Sequence, residues 1–395
     1  VTLLLSGRCN LACAYCYQAA RSCGDRLSWE NARAALDQIL ASKARFRAVE
    51  FSGGEPLLEW NLLTGCAGYV ESRRQKGRPI RFLLTTNGTL LTPEMLAWLE
   101  ANRFSLRLSF DGPGAQGRRS AGSLERLDCL LEEIRGHHPS LFRRLRVHAA
   151  VLPSSVESLA ESAAYFLRKG VPEVFFYPVA GGGEPWSMEG IAGLRAQAAK
   201  IVQMSAAHLA HCGTVPVLFL RAGAPGWPDC PKGAALCGAS RGDGFCVDPD
   251  GRAWSCPFFA ASLANPPEVA REAARVADLG EVADPRFSSR LAALPGRAAS
   301  VGLISGRERK RSGYRACAGC EFLSQCAVCP AAAAAENPEG DPGRVSDFAC
   351  AFSTATLEAR RNFAARTAGA EAEAQFQRLR QAAAALAAVL RGAGS

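Results

Sequence analysis

The chain opens with Val1-Thr-Leu-Leu-Leu-Ser6-Gly-Arg-Cys9-Asn-Leu-Ala-Cys13-Ala-Tyr-Cys16, a short apolar run followed at once by three thiols within eight residues. Val1–Ser6 reads as a strand, and similar β-rich runs recur at Ala48–Ser52, Ile80–Thr85, Ser105–Phe110, Arg146–Leu152 and Glu173–Val179. Amphipathic segments lie between them, opened by helix-start signals at Ser28, Thr92-Pro93-Glu94, Ser123 and Ser154-Ser155. Six strands alternating with helices predict a parallel α/β arrangement, as an open sheet or a barrel. In either form ligands bind beyond the carboxyl ends of the strands, which is where the three thiols sit.

With 395 residues, 48% of them apolar, the chain can bury a large core and is not expected to be disordered. Its net charge of +9 is modest and dispersed, which suits an anionic ligand or an acidic peptide and gives no reason to expect nucleic acid. The densest basic run, Arg307-Glu-Arg-Lys-Arg311, reads as a solvated connector. No apolar run is long enough to cross a bilayer, and Val1–Leu5 is too short for a secretion signal, so a cytoplasmic setting is expected. A first residue other than Met leaves room for an upstream segment. Sixteen cysteines without an export signal point to metal or iron–sulfur ligation in preference to disulfides.

Soft thiolates select zinc or iron–sulfur clusters. Structural zinc needs four ligands, and Cys9, Cys13 and Cys16 supply three with no histidine nearby. A [4Fe–4S] cluster held by three cysteines keeps one iron free of protein, open to an external molecule. The spacing Cys9-x3-Cys13-x2-Cys16, with Tyr15 before the last thiol, resembles the signature of the radical S-adenosylmethionine (SAM) superfamily. The resemblance implies that SAM chelates the open iron and is reductively cleaved to a 5′-deoxyadenosyl radical. It extends to Ser52-Gly-Gly-Glu-Pro56, whose Gly53, Gly54 and Glu55 match a loop with its backbone toward the SAM amino group. It also covers Thr86-Asn87-Gly88 and Ser109-Phe-Asp-Gly112, which make Asn87, Ser109 and Asp111 candidate SAM contacts beside Tyr15. Arg118 and Arg119 lie where relatives often place a SAM-carboxylate arginine.

Composition shifts near residue 222. Nine cysteines lie between Arg221 and Cys350, in a Gly- and Pro-rich stretch with little helical periodicity, so crosslinks or metals are expected to hold it. The pattern Cys237-x13-Gly251-x4-Cys256, Cys317-x2-Cys320-x5-Cys326-x2-Cys329, Cys350 resembles the SPASM domain of peptide-modifying radical SAM enzymes. That resemblance implies two auxiliary [4Fe–4S] clusters. Cys317, Cys320, Cys326 and Cys350 would hold the distal one, and Cys237, Cys256 and Cys329 the proximal one, with Cys230, Cys246 or an open site as the fourth position. Read alone, the two CxxC pairs would also suit a zinc knuckle. Cys23, Cys66, Cys129 and Cys212 fit no spacing and read as small core residues. His208-x2-His211-Cys212 reads as an ordinary helix surface, and the second Gly-Gly-Glu-Pro, at 182–185, as loop composition.

The expected fold is a partial (β/α)6 TIM-like barrel over 1–221, a small cysteine-rich SPASM domain over 222–352, and a C-terminal helical segment over 353–395, with helices at Ser353–Ala365 and Ala370–Leu390. The expected function is hydrogen-atom abstraction from a peptide or protein side chain, with flavodoxin or ferredoxin as a suitable electron donor and no membrane partner. No catalytic residue is assigned. In anaerobic sulfatase maturases an aspartate after the second SPASM cysteine serves as base. That position is Pro257 here, which lowers formylglycine formation unless Asp248 or Asp250 substitutes. A non-catalytic iron–sulfur or zinc scaffold is the reading from another class.

Overall fold

The computed structural model describes residues 1–16, 26–75, 77–179, 184, 186–187, 189–221, 241–260, 271–300, 310–313, 316–326, 329, 332–333, 341 and 343–369. Six strands run in parallel in sequence order: β1 (Thr2–Leu4), β2 (Ala48–Ser52), β3 (Arg81–Thr86), β4 (Ser105–Ser109), β5 (Leu145–Val151) and β6 (Glu173–Pro178). The connecting helices are α1 (Trp29–Ala41), α2 (Trp60–Arg73), α3 (Pro93–Ala101), α4 (Ser123–His137) and α5 (Leu159–Arg168). All six expected strands are present within two residues at either end. This is the TIM-like fold of mixed α/β type that the sequence suggests.

The strands alternate between two environments, and that alternation builds the site. Val49, Phe51, Phe82, Leu84, Leu106, Leu108, Val147, Val174 and Phe176 are buried on one side, in the main core. Phe82 and Phe104 stack with centroids 5.1 Å apart, and Phe51 lies 5.9 Å from Phe104. Several of the intervening residues are charged or polar and pair with one another. Glu50 accepts from Thr85 Oγ1 at 2.8 Å and from Arg107 at 2.5 Å, while Glu173 takes Arg146 and Arg221 at 2.8 Å each. Charges on the concave face of a barrel must be paired because few waters reach them.

Helix starts follow the expected chemistry in two cases and depart from it in two. Ser28 and Thr92 cap α1 and α3 through their side-chain oxygens. Ser123 is the first residue of α4, and the cap is Gly122 at φ 72°. Ser123 instead accepts from Gln116 and donates to Ser120 O. Ser154 and Ser155 lie in a 3-10 turn, Pro153–Ser158, that leads into α5.

The expected boundary near 222 is not a break in the sheet. Strand β7 (Cys246–Val247) pairs in parallel with β1, then β8 (Arg252–Trp254) and β9 (Asp278–Glu281) continue antiparallel, giving a nine-stranded sheet. Helix α6 (Gly190–Cys212) precedes β7; α7 (Arg271–Ala277), α8 (Phe287–Ser300) and α9 (Asp347–Arg366) follow β8. Two of these, α7 and α8, fall where little helical periodicity was expected, because α8 carries Pro295 and short Ala-rich turns hide the pattern. Helix α9 begins before Cys350, capped by Ser346, and packs on α6, with Arg195 and Glu358 joined by two hydrogen bonds of 2.8 and 2.9 Å. The second expected C-terminal helix lies outside the described residues. Among the described residues no helix is long and apolar enough to cross a membrane.

Cys66 is fully buried, and burial pushes its thiol up to about 12. Cys129 and Cys212 are exposed on helices, against expectation, because each falls on the solvent side of its helix. Cys23 lies outside the described residues. His208 meets Thr214 Oγ1 at 3.2 Å, an ordinary helix-end contact.

Gly88 turns the chain off β3 at φ 77°, and a Cβ there would lie 2.4 Å from Leu108 Cδ1 and 3.0 Å from Leu130 Cδ2. Gly88→Ala is expected to cost about 2 kcal/mol or more through left-handed backbone strain and overpacking. Anaerobic guanidinium denaturation checks this, and wild-type stability would refute it.

Candidate active site

The carboxyl ends of β1 to β6 surround a cavity of about 430 Å³. Cys9, Cys13 and Cys16 line it, with Tyr15, Ser52, Gly53, Gly54, Asn87 and Ser109. Of the residues expected to meet SAM, two do not line it: Glu55 and Asp111 are buried behind it, 1% and 3% exposed.

Glu55 is committed to protein. Its carboxylate accepts from Thr86 Oγ1 at 2.7 Å, Asn87 N at 2.9 Å and Leu57 N at 3.0 Å, so it ties the β2 turn to the end of β3. Burial raises its pKa, and the three donors oppose that rise. The glycines before it are required by the neighbouring chain. A Cβ on Gly53, at φ 129°, would fall 2.5 Å from Ser6 O, and one on Gly54 would fall 2.1 Å from Arg8 O. The ladder Gly54 N→Ser6 O (2.9 Å) and Glu55 N→Arg8 O (2.8 Å) runs through that contact. The turn therefore packs against the backbone leading to Cys9.

Asp111 accepts from Arg119 Nη2 and from Ala150 N, each at 2.9 Å, and from the Tyr15 hydroxyl. Burial, with Asp111 beside it, pushes the Tyr15 phenol well above its usual range. Burial opposes the Arg119 charge, yet Asp111 holds its pKa above the ordinary value. Arg119 reaches the cavity, whereas Arg118 turns away to Ser154 O at 3.1 Å. Asn87 donates to Asn10 Oδ1 at 2.9 Å and lies 3.9 Å from Cys9 Sγ, while Asn10 donates to Thr89 Oγ1 at 2.8 Å. The thiol loop is thus held at Asn10 by the β3 turn and at Ala14 by a bond to Arg118 O.

The far wall joins Cys256 and Cys329, expected from the sequence as cluster ligands, and Pro257 to residues that sequence reasoning missed: His148 on β5, Tyr177 and Pro178 on β6, Val179 just after it, and Phe258. His148 stands beside Ser109 in the sheet register, with Phe175 at 5.3 Å and Tyr177 at 6.2 Å edge-on. Its Nε2 is sealed without a partner. Burial, with Arg107, Arg146 and Arg119 around it, pushes the imidazole down to about 3, so it is neutral. Its place in the alternation Arg146-x-His148 was the available signal.

Cys317, Cys320, Cys326 and Cys350 line a second, small cavity with Phe322, Val345 and Leu357. Burial and the three neighbouring thiols push Cys317 up to about 11. Cys329 is absent from that wall and faces the first cavity. Cys246 is 0% exposed in an apolar cluster with Leu4, Trp254 and Phe259. Cys230 and Cys237 lie outside the described residues, as does most of 182–185. From that segment Glu184 accepts from Ser154 N and Oγ, each at 2.9 Å.

Residues 3–195 match the family model of the radical SAM superfamily, and the chain carries a radical SAM domain over that span. The family implies a [4Fe–4S] cluster and SAM as its cofactors. A GTP 3′,8-cyclase of Corynebacterium glutamicum is 30% identical over 175 residues, which is 42% of this chain and 45% of the relative. The radical SAM cyclopropyl synthase TigE of Paramaledivibacter caminithermalis is 25% identical over 134 residues, 30% of this chain and 28% of that one. The chain thus spans less than half the length of these curated relatives. Among solved structures, anSMEcpe with bound AdoMet and the Kp18Cys peptide superposes with a TM-score of 0.67 at 16% identity, covering 92% of this chain and 96% of that one. Streptococcus suis SuiB bound to S-adenosylmethionine gives 0.55 at 15%, covering 88% and 76%. These two likenesses concern the fold.

His148 makes stability fall with acid. The unfolded chain takes up a proton below pH 6.5, whereas the folded ring resists it down to about 3. Between pH 6.5 and about 5 this one group should remove up to about 2 kcal/mol. His148→Gln should flatten that part of the pH–stability profile, as read by anaerobic chemical denaturation. Parallel profiles would refute the assignment.

Proposed function

We propose that the chain is a radical SAM enzyme that abstracts a hydrogen atom from a peptide or protein side chain, in the manner of ribosomal-peptide maturases. The observation that carries this is one cavity walled on one side by Cys9, Cys13, Cys16 and the Gly53-Gly54 turn and on the other by Cys256, Phe258 and Cys329.

The residues fit the cofactors. Three soft donors on one loop suit a cluster with an open iron, and the cavity lies in the size range of small-molecule sites. When bound, the cluster and SAM supply the reducing electron and the carbon radical that takes the hydrogen atom. The protein's part is to hold and orient. Cys9, Cys13 and Cys16 ligate. Gly53, Gly54, Asn87, Ser109 and Tyr15 contact SAM, and Glu55 and Asp111 act through them, as positioning residues. Phe258, Pro257 and Val179 exclude water from the far wall.

The second cavity supports a distal auxiliary cluster on Cys317, Cys320, Cys326 and Cys350. Cys256 and Cys329, with Cys237, would hold the proximal one beside the substrate. Zinc across the two CxxC pairs fits less well, since Cys329 faces a different cavity from the other three. The full burial of Cys246 favours Cys230 or an open position as the fourth proximal site.

A nucleotide substrate is the second reading, favoured by the likeness to GTP 3′,8-cyclase. A triphosphate requires cations to meet it, and Arg119, the one cation among the described residues lining the cavity, is engaged by Asp111. Formylglycine formation is weakened by Pro257, which lines the cavity while Asp248 and Asp250 do not. Under dithionite an enzyme converts SAM to 5′-deoxyadenosine, and a scaffold does not. Product analysis with a peptide encoded beside this gene, against GTP, then separates the two substrate classes.

The anaerobically reconstituted chain should hold about three [4Fe–4S] clusters. Replacing Cys9, Cys13 and Cys16 together by alanine should remove one cluster and all SAM cleavage while leaving the auxiliary iron. Full cleavage by that variant would end this reading. Replacing Cys317 and Cys320 by alanine should leave uncoupled 5′-deoxyadenosine formation and abolish the modified product, with circular dichroism as the folding control. Wild-type product from a folded double variant would remove the electron-relay role.

A further inference from the structure

Three residues beyond the Gly-Gly-Glu-Pro turn, the 3-10 turn Pro56–Glu59 ends on a second buried carboxylate. The Glu59 side chain is 0% exposed, and it is gripped by two arginines that remain partly in solvent, Arg8 at 47% and Arg26 at 61%. Arg8 meets Oε1, and Arg26 Nε meets Oε2 at 2.6 Å. These arginines bracket the thiol loop: Arg8 immediately precedes Cys9, and Arg26 pairs back to Ser6 in an antiparallel bridge, with Leu27 N bonded to Leu5 O at 2.9 Å. Each carboxylate oxygen therefore holds one end of the loop that carries Cys9, Cys13 and Cys16. A buried carboxylate is tolerated only when paired. Arg8 and Arg26 keep about half or more of their side chains in solvent at the contact, so it ties the loop to the carboxylate more than it adds to the core.

We propose that Glu59 is a positioning residue: it clamps both ends of the thiol loop and sets the loop's height over the cavity. Glu55 fixes the turn to β3, and Glu59, one helical turn further on, fixes the loop to the turn. One short segment thus orients both walls that SAM is proposed to meet. The inference rests on the radical SAM reading for its consequence in SAM binding, and on geometry alone for the clamp.

The test uses the reconstituted full chain and two variants, Glu59→Gln and Arg26→Gln, singly and combined. Each single variant should weaken SAM binding several-fold, and Glu59→Gln more than Arg26→Gln, because Glu59 also holds Arg8. Amide exchange in residues 7–16 should quicken, while exchange in β3 to β6 and the auxiliary iron content stay at wild-type levels. The double variant should be no worse than Glu59→Gln alone, because the two share one contact. Wild-type exchange at 7–16 in both single variants overturns the clamp. If Glu59→Gln does not fold, Arg26→Gln decides alone, since it alters only an exposed side chain. If the wild type neither binds nor cleaves SAM, the functional reading fails while the exchange comparison still judges the clamp.

Discussion

The structure depends on one close approach: the Gly53-Gly54 backbone lies against Ser6 and Arg8, with a Cβ-sized gap closed on both sides. Because nothing larger than hydrogen fits, the turn after β2 and the loop after β1 share a ladder of backbone hydrogen bonds. Glu55 extends the junction to β3 through Thr86 and Asn87. Asn87 returns to the thiol loop through Asn10. Three strand ends thereby become one rigid rim. The loop bearing the three thiols has little apolar surface with which to order itself, so its geometry is borrowed from this rim.

The barrel part was legible because its signals are local and redundant. Phe51, Phe82 and Leu108 sit at alternate positions in runs of the right length, and capping residues such as Ser28 and Thr92 stand before the helices. The thiol spacing and the turn sequence then located the site at the strand ends. What sequence could not give was division of labour within the site. Glu55 and Asp111 were grouped with the contacts, yet the structure commits both to neighbouring donors behind the wall. A motif names a carboxylate without saying which way its lone pairs face.

The C-terminal part was less legible for a physical reason. Strands β7 and β8 are two and three residues long, too short to show alternation, and they are held by pairing, β7 with β1 and β8 with β7 and β9. Helix α8 contains a proline, which masks its period. Cys129 and Cys212 were expected in the core as unexplained thiols, but a small polarizable side chain is tolerated on either side of a helix, so residue type alone does not fix its side.

Continuity of the sheet has a consequence for how the two cysteine groups relate. Strand β1, whose end carries the thiol loop, is hydrogen-bonded on one side to β2 and on the other to β7. The hairpin that follows β7 leads to Cys256, Pro257 and Phe258, which close the same cavity. Both walls are therefore referenced to a single three-residue strand. A shift of β1 would move the thiols, the Gly-Gly turn and the Cys256 wall together, preserving the distances among them. Leu3, Leu4 and Leu5, each no more than 1% exposed, fix that strand by burial on both faces. The opening apolar run is thus the common anchor of the cavity's two sides, while the polar floor of Ser109, His148 and Tyr177 is set separately by β4 to β6.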